Sequence, residues 1–280
     1  KIAGKSYPLA ANFSAPYGLW LAQNNLGKAA YLTLIDRDAR LTMPHLYMLE
    51  PYNPNKKVVV LVHGLASSPE AWIRLTNDVM GDPVLREHYQ VWQVFYSTNM
   101  PILESRFHIY AIIQQSFNLV DSKAPAKKDA VLVGHSMGGI IARLLVSDAD
   151  LTPAAMKLLP NRRVQQFKND PLFKSRLDIQ PIPNFSRAIF LAAPHRGTEF
   201  ADRWFTLAAR KVIRLPGAFL GALTDVIQSS DPDLQAFIKD VDNGLIQNGP
   251  SDLSKNSNFT RLTKNVVPYK GMKFHSIMGN

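Results

Sequence analysis

Residues 58–64 (VVVLVHG) and 130–135 (AVLVGH) are continuous apolar runs, and they restrict the folds open to this chain more than any other feature. Alternating polarity marks a strand with one wet face, whereas an unbroken β-branched run this short marks a strand covered on both faces. Helical patterning follows each run. Residues 67–80 (SSPEAWIRLTNDVM) place Ser68 as the cap and Pro69 in the first turn, and 137–149 (MGGIIARLLVSDA) follow the second run directly. The rhythm continues with a strand over 89–97, a helix over 102–120, a strand over 187–193 (RAIFLAA) and a last strand within 271–279. A helix is expected over 16–35, and a short strand followed by a Pro/Asn turn over 45–57. Strands alternating with helices build parallel βαβ units, so the expected fold class is α/β, a doubly wound and mostly parallel open sheet. Ligands of such sheets bind beyond the carboxyl ends of the strands.

Two stretches interrupt the rhythm. Residues 150–185 are rich in proline with charges of both signs, and 200–265 combine a helix-like 203–215 with polar, glycine-containing segments. Both are expected to be lids or substrate walls near the rim of the sheet. Trp204, Phe205 and Phe219 are expected to form lid core, with the lining of an acyl pocket as the other reading.

A chain of 280 residues can bury a substantial core. It has no cysteine, which excludes disulfides, thiolate metal sites and a cysteine nucleophile. The formal charge of +10 is spread along the sequence, and 126–128 and 161–163 are too short to be basic tracts. A solvated cationic surface is therefore expected, and no nucleic-acid partner. No apolar run approaches the roughly 20 residues that span a bilayer. The sequence opens on Lys1 rather than methionine, which leaves room for a secretory signal or anchor upstream.

The chemistry concentrates at Gly134-His135-Ser136-Met137-Gly138, a G-x-S-x-G pattern with Gly139 behind it. A sharp strand-to-helix turn forces such a serine into strained dihedrals and lifts its hydroxyl above the sheet, and only very small neighbours let strand and helix come that close. The helix that starts at Met137 aims its free N–H groups and positive dipole end at the same place. The other element is 61–68 (LVHGLASS), where a buried strand ends and the backbone swings over the rim. The expected oxyanion donors are the N–H groups of Leu65 and Met137, with Ser136 as the catalytic nucleophile. His63 precedes the nucleophile and is expected to be structural, bonding to loop backbone.

Through 58–72, 131–145 and 190–201 (FLAAPHRGTEFA) the chain resembles the α/β-hydrolase superfamily, in particular bacterial lipase- and esterase-like members. Residues 46–57 and 89–98 resemble a branch of predicted envelope hydrolases, often lipid-anchored. The resemblance implies one α/β-hydrolase domain over 1–280, with 150–185 and 200–265 as cap insertions. It also implies a Ser-acid-His triad acting on small-molecule or lipid carboxylic esters without cofactor or metal, peripheral membrane contact, and a place in the cell envelope. Acyl transfer at the same site, and lipid or partner binding without catalysis, are the alternatives.

In this superfamily the acid follows the strand after the lid, and the histidine follows the next strand. If 187–193 is the sixth strand and 271–279 the seventh, both partners are expected past Asn280, leaving the edge of the last strand open. Within the chain, His195 is the other candidate base, with Asp202 and Glu199 as nominal acids. His275 lies inside a strand and is expected to point to a sheet face.

Overall fold

Val58, Val60 and Val62 point to one side of their strand and Leu61 to the other, and all four are buried. The unbroken apolar run is thus the middle of a sheet with two covered faces. The computed structural model describes residues 4, 12, 15–24, 43–158, 171–199 and 249–279. Its strands are β1 (His45–Met48), β2 (Lys57–Val62), β3 (Tyr89–Phe95), β4 (Ala130–His135), β5 (Ala149–Asp150), β6 (Asp178–Ile179), β7 (Phe185–Leu191) and β8 (Lys273–Ile277). Six of them form one sheet in the order β1-β3-β2-β4-β7-β8, and β5 pairs with β6 separately. β1 runs antiparallel to β3, and every other pairing in the main sheet is parallel. The carboxyl ends of β2, β3, β4, β7 and β8 therefore share one rim.

Helices Ile102–Asn118 and Met137–Leu145 cover one face, packing Ile109, Ile113, Phe117, Ile141 and Leu144 against Val60, Trp92 and Leu132. Trp72 and Val79 cover the other face, over Leu61, Val91 and Val133. Residues 67–80 do not form the single helix their pattern suggests. Ser68 caps as expected, accepting from the Glu70 N–H at 3.3 Å, but it starts a 3-10 turn, Pro69–Trp72. That turn buries Trp72, and the α-helix begins afterwards, at Ile73–Gly81.

The helix expected over 137–149 stops at Leu145. There the Ser147 hydroxyl donates to the Arg143 carbonyl at 2.7 Å and the Tyr269 N–H takes the Val146 carbonyl at 2.9 Å, so the chain turns into β5. The strand expected over 187–193 is shifted to Phe185–Leu191, ending where Ala192 adopts φ 47°. Of the helix expected over 16–35, Ala15–Asn24 is described.

The described part of 150–185 is anchored at the end of helix Met137–Leu145 remote from Ser136, through Ile182 N–H to the Leu145 carbonyl at 2.9 Å. It then lies along helix Ile102–Asn118, where Arg176 forms an ion pair with Glu104 at 3.0 Å. Helix-like 203–215, Trp204, Phe205, Phe219 and Asp202 lie outside the described residues. No described helix is long and apolar enough to cross a membrane.

β2 ends against a wholly enclosed histidine. His63 Nδ1 lies 3.0 Å from the Gly64 carbonyl oxygen and Nε2 accepts from the Tyr96 N–H at 3.4 Å, so both ring nitrogens are used with the imidazole neutral. The Tyr96 hydroxyl donates to the His63 carbonyl at 2.8 Å, and the two rings stack with centroids 4.5 Å apart. Burial pushes the His63 pKa down to about 4. In the unfolded chain the ring titrates at its ordinary 6.5, so between those values the unfolded state takes up a proton that the native state refuses. Stability is then lost as pH falls.

Two outcomes are expected. Leu132→Ala, at a wholly buried β4 position, lowers the unfolding free energy by about 2–5 kcal/mol, and Leu119→Ala, at a 90% exposed position, changes it by under about 0.5 kcal/mol, both read from urea titrations. Urea titrations between pH 6.5 and 4 show a fall to which His63 contributes about 3 kcal/mol, and His63→Gln flattens that part of the slope.

Candidate active site

Ser136 sits between β4 and helix Met137–Leu145 with φ 52° and ψ −121°, a conformation L-residues rarely hold. Its N–H donates to the Leu191 carbonyl at 2.9 Å, which ties the ends of β4 and β7 together. Its own carbonyl accepts from Gly139 N–H at 2.9 Å and Ile140 N–H at 3.4 Å, the first bonds of the helix. The turn is this sharp because backbone meets backbone. A methyl group at Gly134 would stand 2.4 Å from the Gly138 carbonyl oxygen, and one at Gly138 would stand 2.3 Å from that of His63. Both glycines of the pentapeptide are needed for contact.

The loop after β2 lies against the serine. A methyl at Gly64 would be 3.0 Å from Ser136 Cβ. Ala66 takes φ 52°, and its N–H donates to Thr98 Oγ1 at 3.2 Å, which fixes the loop from the carboxyl side of β3. Among the described residues neither the Leu65 N–H nor the Met137 N–H makes a hydrogen bond. Met137 follows the half-buried Ser136 at the helix N-terminus, and Leu65 follows Gly64, whose backbone lies against the serine.

All seven histidines of the chain lie among the described residues, and none hydrogen-bonds Ser136. His63 bonds to loop backbone, as its place before the serine led one to expect. His195 follows β7, its ring set edge-on to Phe190 at 5.0 Å. Its Nδ1 is buried with no partner among the described residues, and burial, reinforced by the positive charge of Arg143, pushes its pKa down to about 4. A triad histidine needs an anion on its far nitrogen; this one is influenced by a cation. Glu199 is already paired with Lys255 at 2.7 Å. His275 stands on β8, exposed, receiving a hydrogen bond from Arg187 Nη1 at 2.6 Å.

One element of the rim was not foreseen. Residues 249–257, inside a stretch read as a polar insertion, are stitched across the carboxyl ends of the strands. The Gly249 N–H donates to the Asn99 carbonyl at 3.3 Å, and a methyl at Gly249 would stand 2.4 Å from the Thr98 carbonyl oxygen and 3.4 Å from Met137 Sδ. Asp252 accepts the Ile102 N–H at 2.8 Å, occupying the N-terminus of helix Ile102–Asn118. At the other end the Thr198 N–H donates to the Leu253 carbonyl at 2.9 Å. Asp252 is buried, and its enclosure holds the carboxyl pKa well above the ordinary 3.8, opposed in part by the Ile102 N–H. The strap joins the loop after β3 to the loop after β7 and touches the residue next to Ser136.

The sequence model of the alpha/beta hydrolase family matches residues 59–245, about two thirds of the chain. No curated protein matches it. Among solved structures the chain is similar to the mature form of Bacillus licheniformis lipase BlEst2, at 17% identity and TM-score 0.43, covering 84% of this chain and 72% of that one. Against the propeptide form it covers 83% of this chain but 38% of that one, at 18% identity and TM-score 0.40. It is also similar to Thermogutta terrifontis esterase 2 phosphorylated by paraoxon, at 15% identity and TM-score 0.34, covering 56% of this chain and 54% of that one. The match to the family's own sequence pattern runs from β2 through the serine turn, β7 and beyond, and on that extent the chain belongs to the alpha/beta hydrolase family.

Proposed function

We propose that the protein is a serine hydrolase of carboxylic esters, lipase- or esterase-like, with Ser136 as nucleophile. The observation that carries this reading is the serine at φ 52° on a strand-to-helix turn, next to the Met137 N–H and against the Gly64 loop that carries the Leu65 N–H, neither amide bonded among the described residues. Ser136 Oγ attacks the ester carbonyl carbon, and the two amides receive the charge that develops on the carbonyl oxygen. Each such donor is worth about 3 kcal/mol at the transition state. The leaving alcohol departs with a proton, and water then cleaves the acyl-enzyme to the acid and free serine. Such chemistry calls for a histidine–acid pair as general base, and among the described residues no histidine hydrogen-bonds Ser136. The substrates are small-molecule or lipid esters, without cofactor or metal, and a different acyl acceptor in place of water would give acyl transfer at the same site.

A second reading rests on a specific observation. With no histidine bonded to Ser136, the fold would also serve a protein that binds a lipid or a partner without turning it over.

A fluorophosphonate probe separates the two. Labelling of the wild-type protein at the peptide carrying Ser136, lost in Ser136→Ala, is the expected result, together with a fall of about 10⁶ in p-nitrophenyl butyrate turnover. An unlabelled wild-type protein assigns the fold to binding alone.

A further inference from the structure

Leu65 and Ala66 form a turn at the rim, and Ala66 is exposed. Each residue of such a turn has two soft dihedrals, so an amide within it keeps one direction only if its peptides are tethered. Both peptides flanking Leu65 are trans, and in each the carbonyl and the N–H point opposite ways. The first is held by its carbonyl, since the Gly64 oxygen lies 3.0 Å from His63 Nδ1. The second is held by its N–H, which Ala66 donates to Thr98 Oγ1 at 3.2 Å. The Leu65 N–H belongs to the first peptide, and the Leu65 Cα joins it to the second. Ala66 keeps φ 52°, a conformation an L-residue holds only under such constraint.

Thr98 is itself firmly placed. It is 1% exposed, and branching at Cβ restricts its χ1, so its oxygen has little freedom. The Met100 N–H donates to the Ser97 carbonyl at 3.1 Å, closing a tight turn around Thr98 and Asn99. From outside, the strap at 249–257 presses on the same turn. Its Gly249 N–H donates to the Asn99 carbonyl at 3.3 Å, and a methyl at Gly249 would stand 2.4 Å from the Thr98 carbonyl oxygen. Asp252 seats the strap on the Ile102 N–H at 2.8 Å.

The bond from Ala66 to Thr98 adds little to folding. Ala66 is exposed, so water takes over its N–H once the threonine oxygen is gone, and such an exchange is nearly neutral. β3 has already ended at Phe95, so the threonine hydroxyl is no part of the sheet's ladder. What the bond supplies is direction, and direction is what an oxyanion donor needs.

We propose that Thr98 is a positioning residue for ester hydrolysis, which holds the Ala66 N–H and so fixes the Leu65 amide as oxyanion donor. The strap at 249–257 keeps Thr98 in place. The role rests on the reading of Ser136 as nucleophile and of Leu65 as donor.

Steady-state hydrolysis of p-nitrophenyl butyrate, together with amide exchange, tests the role. Thr98→Val keeps the branched shape and removes the acceptor. It is expected to lower kcat about tenfold, a part of the roughly 10²–10³ that outright loss of a donor costs, with KM within about twofold. Thr98→Ser keeps the oxygen and is expected to restore kcat to within about threefold. Inhibition by butylboronic acid, whose tetrahedral adduct on serine sets an oxygen among the same donors, weakens in step with kcat. Exchange at the Ala66 amide quickens in Thr98→Val, while that at Val60 in the middle of β2 does not. If Thr98→Val does not fold, Thr98→Ala removes the same oxygen and decides the matter. Fluorophosphonate labelling separates the two ways of failing. A labelled, active wild type whose Thr98→Val variant keeps kcat within about twofold, or whose Thr98→Ser variant falls equally, overturns the role of Thr98 and leaves the hydrolase reading standing. Unchanged exchange at Ala66 does the same. An unlabelled wild type without turnover overturns both.

Discussion

At the centre of the molecule three stretches of backbone touch with no side chain between them. The end of β2, the end of β4 and the first turn of helix Met137–Leu145 meet at Gly134 and Gly138, where even a methyl group would fall inside 2.5 Å of a carbonyl oxygen. Everything at the rim inherits its position from that contact. It brings the helix N-terminus over the sheet, forces Ser136 into its strained dihedrals, and lays the loop that begins at Gly64 against the serine. Strain of this kind costs about 1–3 kcal/mol and persists because the surroundings leave no alternative. Ser136 N–H to Leu191 and the buried helix behind it are those surroundings.

The electrostatics follow the same logic. Burial keeps His63 neutral, and a neutral ring satisfies both the Gly64 carbonyl and the Tyr96 N–H; the charged ring would lose the second bond. Arg143 is likewise buried, with Nη1 donating to the Thr263 and Val266 carbonyls while Nε and Nη2 have no partner among the described residues. Its charge bears on His195 and makes that imidazole harder to protonate. What the described residues present around the Ser136 turn is a helix N-terminus and a buried, neutral histidine.

What the sequence made legible is what short-range sterics decide. The β2 and β4 runs, the serine turn and its glycines, and the Ser68 cap all depend on neighbours within a few residues. Longer partnerships escaped. Asp252 meets the Ile102 N–H across 150 positions, and Thr98 meets Ala66 across 32, separations no local pattern encodes. Helix boundaries failed for the same reason. The helix after Ser136 has a sequence that would continue to residue 149, but it stops at Leu145, where the Tyr269 N–H, from more than a hundred residues on, takes the Val146 carbonyl. The likeness of 131–145 and 190–201 to a hydrolase family pointed to the right family, yet His195, the base candidate within that likeness, stands beside a cation.

The strap at 249–257 has a mechanical consequence. It is fastened at one end to the loop after β3 and at the other to the loop after β7, so these two loops are linked rather than independent. A displacement of one is passed to the other through a strap whose anchor is an enclosed carboxyl group.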